Sequence, residues 1–339
     1  MEKQKRILIT GASGFIGGFL VKEALQRGYD VWAGVRSCSS REHLKDERIH
    51  FIDLQYNNKI FLMDQLREVV SVTGAWHYVV HNAGITKALH VKDFYKVNAH
   101  YTQTLIEALT EAACLPEKFL LMSSLSSYGA GDESTFRPIR TDDKQCPDSV
   151  YGKSKLQAEQ YVKTQTGFPY VILCPTGVYG PGDKDYLMEI KSIRNGFDLK
   201  AGMKPQRLTF IYVEDLARAA YLALENPLIR NTSYFVSDGF TYTDVEFAET
   251  VKMALGKRFV FNVRIPLFLC YIACIFSEWT GKIVGRPATL NRDKYLIIRQ
   301  RNWICDTERT NSELGFIPRY NLKEGIVETI RYSKEHGLL

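Results

Sequence analysis

The sequence has no internal repeat, no low-complexity tract and no long run of charge of one sign. Nothing in it therefore suggests a repeat array, a linker-rich chain or nucleic-acid binding through a basic tail. It also lacks a metal-binding spacing. Seven cysteines, at 38, 114, 146, 174, 270, 274 and 305, are odd in number and scattered. They read as reduced thiols in a cytoplasmic protein, with no metal site. The start, Met1 to Arg6, is charged and runs straight into an apolar strand, which is not the pattern of a signal peptide. Long hydrophobic runs are missing too. The most apolar stretch, Ile265 to Phe276, is about a dozen residues, short of the ~20 that cross a bilayer. It is expected to be a buried helix rather than a transmembrane segment, with contact at a membrane interface as the lesser reading. The net charge of +6 is mild and suits an anionic small-molecule ligand.

What is present is an alternation of short β-branched runs with amphipathic stretches. With 339 residues and 45% hydrophobic content, the chain can bury one large core or two unequal ones. Strands are expected at 6–10, 30–35, 49–52, 76–81, 119–123 and 170–174. Helices are expected at 17–27, 60–70, 94–113 and 149–166. That order predicts an α/β fold, a doubly wound parallel sheet of the Rossmann type. After Pro175 the pattern loosens. A loop at 180–183 precedes an apolar strand at 208–213, a helix at 214–225 and a last helix near 322–336. We expect a dinucleotide domain over 1–175, which also receives segments from about 206–240. A smaller, partly interleaved α/β substrate domain is expected over 176–339.

The segment Thr10-Gly11-Ala12-Ser13-Gly14-Phe15-Ile16-Gly17 joins the first strand to the first helix. Gly11 would permit a sharp turn, Gly14 a close backbone approach to a pyrophosphate, and Gly17 tight packing of helix on sheet. Free N–H groups at the helix start would hold phosphate oxygens. Further along, Tyr151 and Lys155 stand four apart on one helix face. An ammonium there would favour the phenolate, making Tyr151 a general acid or base with its pKa drawn down. Ser124 lies just beyond an apolar strand, at the sheet edge where ligands of open α/β sheets bind. Its hydroxyl could polarise a substrate carbonyl.

These motifs resemble the extended branch of the short-chain dehydrogenase/reductase superfamily, the NAD-dependent epimerase/dehydratase family. The likeness runs through Gly11, Gly14 and Gly17, Asn82-Ala83-Gly84, Ser124, Tyr151 and Lys155. It continues in Pro175-Thr-Gly-Val-Tyr-Gly-Pro-Gly-Asp183, Phe210-Ile-Tyr-Val-Glu-Asp-Leu-Ala217 and Glu313-Leu-Gly-Phe-Ile-Pro318. The resemblance implies that Tyr151 is the acid/base, that Lys155 holds the nicotinamide ribose and tunes Tyr151, and that Ser124 orients the reacting oxygen. It also implies cofactor contacts from Ser13, Phe15, Ile16, Asp53, Leu54, Asn82, Ala83, Gly84, Pro175, Gly177 and Val178, and a homodimer paired through the helices at 94–113 and 149–166.

At the end of the second strand, where an NAD site places an acid, stands Arg36. An arginine there would pair with a ribose 2′-phosphate, so NADP(H) is the expected cofactor, with NAD(H) possible. The acidic pair that follows the catalytic serine or threonine in related sugar-nucleotide dehydratases is replaced by Leu125-Ser126. The diphosphate-gripping Arg-Asp of related epimerases is replaced by Leu208-Thr209, leaving Arg207, Arg299 or Arg301 as substitutes. Within this branch, the apolar 266–276 stretch, Trp279 and Trp303 resemble the 3β-hydroxysteroid dehydrogenase and dihydroflavonol-reductase-like groups. The expected reaction is interconversion of a secondary alcohol and a ketone. A nucleotide-sugar epimerase is the alternative, and a dinucleotide-sensing protein without catalysis the remote one.

Overall fold

The computed structural model describes residues 4–165, 167 and 169–339. Strands in chain order are β1 (Arg6–Thr10), β2 (Asp30–Val35), β3 (Ile49–Asp53), β4 (Tyr78–His81), β5 (Lys118–Met122), β6 (Tyr170–Pro175) and β7 (Gly177–Tyr179). They continue as β8 (Phe197–Ala201), β9 (Arg207–Leu208), β10 (Phe210–Tyr212), β11 (Thr232–Val236), β12 (Tyr242–Thr243), β13 (Phe261–Ile265) and β14 (Asn302–Trp303). The helices are α1 (Phe15–Gln26), α2 (Lys59–Thr73), α3 (Val91–Phe94), α4 (Tyr101–Glu111), α5 (Val150–Thr164) and α6 (Asp185–Arg194). After them come α7 (Val213–Glu225), α8 (Asp244–Ala254), α9 (Leu267–Val284), α10 (Arg292–Ile298), α11 (Glu308–Leu314) and α12 (Leu322–Glu335).

Seven strands form one parallel sheet in the order β11-β6-β5-β4-β1-β2-β3. Its central strands read as apolar runs because both faces are covered. Ile7 and Ile9 pack into the core on the α1/α7 side, whereas Leu8 packs into the core on the α2/α4/α5 side. The order reverses direction between β1 and β4, and this opens the crevice where such sheets bind ligands. Buried Lys118 ties β5 to α7, its Nζ donating to the carbonyls of Ala223, Leu224 and Asn226 at the helix end.

A second lobe holds β7 with β10, β12-β9-β14 and β8 with β13. Its core gathers Tyr179, Ile190, Phe210, Phe247 and Ile326. The predicted helix at 94–113 is interrupted, because residues Tyr95–His100 form a π-helical turn between α3 and α4. The helix predicted over 149–166 ends at Thr164, and Thr166 lies outside the described residues. The largest departure is the apolar stretch, which belongs to an 18-residue helix, α9, with only Cys274 buried. Among the described residues it is the one helix long and apolar enough, by length and composition, to cross a membrane. It is not the buried core helix, nor the short run, that its sequence suggested. All seven cysteines are free.

Candidate active site

Gly11 adopts φ +64°, and a Cβ there would stand 2.8 Å from the backbone nitrogen of Ala83. The loop closes with Gly14 N–H donating to the Gly11 carbonyl at 3.0 Å. Gly14 is the N-cap of α1, which has neither a side-chain cap nor an acid in its first turn. The amides of that turn are thus left for an anion, and no negative side chain competes with it. Gly17 performs the packing expected of it: a Cβ would fall 2.0 Å from the Gly11 carbonyl oxygen. This backbone cradle fits a dinucleotide pyrophosphate.

The cradle opens into a cleft of about 1760 Å³ that runs between the lobes. Ser13, Phe15, Ile16, Arg36 and Leu54 line it on the β1/β2 side. Asn82, Ala83, Gly84, Pro175, Gly177 and Val178 line it on the β4/β6 side. Ala83 is held there by its N–H donating to Thr10 Oγ1 at 3.1 Å. Asp53 is not brought in. Its carboxylate accepts from Gln55 Nε2 at 3.0 Å, and the neighbouring Leu54 faces the cleft instead. Residues alternate faces along a strand end, so one of this pair must turn away.

Ser124, Tyr151 and Lys155 all line the same stretch of the cleft. The Ser124 hydroxyl is fixed by accepting the Ser126 N–H at 3.2 Å and lies near enough to the Tyr151 phenol to act on its ionisation. Lys155 does not lie against the phenol as the spacing alone suggested. It is buried, and its Nζ donates to the Met122 carbonyl at 2.9 Å. Burial pushes the Tyr151 phenol up, with the nearby Ser124 hydroxyl opposing, so the expected lowering is absent here. Burial also pulls the Lys155 ammonium down to about 8, partly offset by Glu159.

Three positioning residues escaped the sequence. Asp293 on α10 accepts the Tyr151 backbone N–H at 3.1 Å and also the Val150 N–H, capping α5 from the other lobe. Asn98, in the π-helical turn, bridges Ile85 N–H and C=O and donates to Ser154 at 2.9 Å. Such turns gather at functional sites. Gly152 lets α5 approach the serine turn, since a Cβ would stand 2.2 Å from the Ser126 carbonyl oxygen. Only Gly152 left a local trace, as a glycine inside a helical pattern; Asp293 is 142 positions from Tyr151.

Beyond the dinucleotide half, Leu208, Phe210, Leu290, Ile297, Ile298 and Trp303 line the cleft. Asp185 is held between Lys87 and Lys294, and burial raises the nearby Glu189 to about 7. The three arginines considered for gripping a diphosphate are absent from this lining. Arg207 and Arg301 stack on Phe136, while Arg299 pairs with Asp148. Residues 266–276 and Trp279 are also outside the lining, which corrects their assignment to a substrate wall; Trp303 alone of that set reaches it.

Fold and cleft together define a dinucleotide-dependent α/β enzyme with a Ser/Tyr/Lys constellation at the mouth of its parallel sheet. Residues 7–234 match the NAD dependent epimerase/dehydratase family, and the chain belongs to that family. It is an NAD(P)-dependent enzyme of the extended short-chain dehydrogenase/reductase class. It is 26% identical to UDP-glucose 4-epimerase of Vibrio cholerae, over 96% of this chain and 94% of that one. It is 28% identical to 3 beta-hydroxysteroid dehydrogenase/Delta 5-->4-isomerase of Mycobacterium tuberculosis, over 96% of this chain and 90% of that one. The crystal structure of UDP-glucose 4-epimerase with UDP-glucose from Thermotoga maritima superposes with a TM-score of 0.77 at 21% identity. That alignment covers 98% of this chain and 99% of the other, a likeness of fold.

Proposed function

We propose that the protein interconverts a secondary alcohol and a ketone on an apolar, ring- or lipid-like substrate, with NADP(H) as cofactor. The observation that carries this reading is the substrate half of the cleft. One wall of it, Leu208, Phe210, Leu290, Ile297, Ile298 and Trp303, is aliphatic and aromatic; Lys87, Asp185, Glu189 and Lys294 also line the cleft, while Arg207, Arg299 and Arg301 are engaged elsewhere. An apolar wall favours an apolar ligand, and the polar groups of the same cleft orient it. When bound, the dinucleotide supplies or accepts the hydride. Ser124 donates a hydrogen bond to the substrate oxygen, and Tyr151 delivers the proton to it in the reductive direction. Lys155 and the first-turn amides of α1 hold the ribose and phosphate groups. The test is a panel of sterol-like and other cyclic ketones with NADPH consumption followed by absorbance. Stoichiometric consumption supports the reading. Interconversion of nucleotide sugars with the dinucleotide retained, and no net consumption, overturns it in favour of an epimerase.

The NADP(H) preference rests on Arg36, which is exposed at the end of β2 with Ser39, Ser40 and His43 beside it on the cleft wall. Replacing Arg36 by Asp puts a carboxylate where the 2′-phosphate would sit. The ratio of kcat/KM for NADPH over NADH is expected to fall by about 10²-fold, a few kcal/mol of lost charge-assisted bonding. An unchanged ratio overturns the preference.

Lys155 sets a pH limit. Its ammonium is held down at about 8, so the charged form dominates below that pH and is lost above it. Reductive kcat/KM in the free enzyme is expected to fall with unit slope as pH rises through about 8. Lys155→Met should lower kcat/KM and abolish that limb; a limb that persists in this variant assigns it to another group.

A further inference from the structure

The outer face of the second lobe is built inside out. In β8 the charged Asp198 and Lys200 are buried, at 2% and 7% exposure, and pair with one another, whereas Phe197 and Leu199 face outward at 50% and 54%. A strand facing water shows the opposite alternation. β13 continues the apolar face with Phe261 and Val263, the register partners of Phe197 and Leu199. Phe259 packs edge-on against Phe261 at 4.7 Å.

The ribbon runs through Pro266 directly into α9, whose 18 residues carry only two charges, Glu278 and Lys282. Phe268, Ile272, Ile275, Phe276, Trp279 and Ile283 recur at helical spacing and are all exposed. The other side of α9 packs on α10, with Tyr271 against Tyr295 at 5.1 Å and Glu278 paired to Arg292. At about 27 Å, the helix has the length of a bilayer core. Its topology forbids crossing, however. β13 before it pairs with β8, and β14 after it pairs with β9, so both ends return to one body.

The segment that carries this face is predominantly basic, with Arg264 and Arg292 paired to Asp244 and Glu278. Residues 255–292 hold six basic residues against the single acid Glu278, in a chain whose whole excess is +6. Lys257, Arg258, Lys282 and Arg286 are exposed and have no carboxylate partner among the described residues. A second copy docked through the same face would bring these like charges together. A sheet of anionic headgroups over an apolar interior satisfies both the basic rim and the apolar centre.

We propose that β8, β13 and α9 form a membrane-docking surface, with α9 lying in the headgroup plane of a bilayer that contains anionic lipid. α10, against which α9 packs, lends Ile297 and Ile298 to the cleft, so bilayer-dissolved molecules would have a short path to it. That corollary rests on the apolar-substrate reading above; the docking itself does not. The test is flotation of the full-length protein with vesicles of phosphatidylcholine alone and of phosphatidylcholine with phosphatidylglycerol, at low and high salt. The protein is expected to float with the anionic vesicles, at least tenfold more than with neutral ones at low salt, with a blue shift of tryptophan emission. High salt is expected to weaken the binding. Phe276→Glu combined with Ile272→Glu, and separately Lys257→Glu with Arg258→Glu, should each reduce flotation at least tenfold. All four positions are exposed, and unchanged dinucleotide binding checks the fold. Failure of the wild type to float overturns the proposal, as does flotation that survives both sets of changes. A wild-type dimer whose mass halves in the Phe276→Glu, Ile272→Glu variant, with neither protein floating, assigns the face to self-association instead.

Discussion

Replacing Tyr151 by Phe is expected to reduce kcat by about 10³-fold, the usual weight of a positioned proton donor, with dinucleotide affinity unchanged. The ring stays and only the hydroxyl goes, so the packing of α5 on the serine turn through Gly152 is kept. What disappears is the hydroxyl beside Ser124 at the cleft wall. The pyrophosphate cradle lies on α1 and does not depend on that hydroxyl. Steady-state turnover beside a fluorescence titration with NADPH separates the two. A variant that turns over like the wild type removes Tyr151 from the chemistry; one that no longer binds NADPH gives it a structural role instead.

The second large effect is expected at Gly17. In Gly17→Ala the new Cβ meets the Gly11 carbonyl oxygen at 2.0 Å and Ala12 Cα at 2.8 Å. Both are backbone atoms and cannot rotate away, so α1 must lift off the loop and take Leu20, Val21 and Ala24 partly out of the core. The expected cost is roughly 2–3 kcal/mol of stability, together with loss of measurable dinucleotide binding. Its neighbour provides the control. A Cβ at Gly18 meets only His43 Cβ at 3.7 Å, and alanine is favoured over glycine inside a helix by roughly 0.5–1 kcal/mol. Gly18→Ala should therefore unfold at the same or a higher temperature. Equal melting temperatures for both variants and the wild type would remove the close approach of α1 as an explanation.

The cradle was legible because its requirements are local: a strand, a glycine that turns, an uncapped helix start. The same holds for Ser124, placed by the end of an apolar run, and for Tyr151, placed by its spacing from Lys155. Lys155 was legible as a residue but not as a geometry, since helical spacing gives a shared face and says nothing of which carbonyl the ammonium finds. Asp53 was misplaced for a related reason, because a shift of one residue at a strand end exchanges the side facing the ligand. Asp293 was invisible, as its role exists only when α10 folds against α5 from far along the chain. The apolar stretch was misread by a general rule. Apolar residues at helical spacing usually face a core, and α9 breaks that rule with its stripe exposed.

The cap that Asp293 places on α5 also concerns folding. The N–H groups of Val150 and Tyr151 find their acceptor in the second lobe, whereas Ser149 caps Gly152 from the helix start itself, so opening of that lobe would leave the first two unpaired. Parting of the lobes would thus take hydrogen bonds from the turn that carries the acid, whereas the dinucleotide cradle is built on β1 and α1.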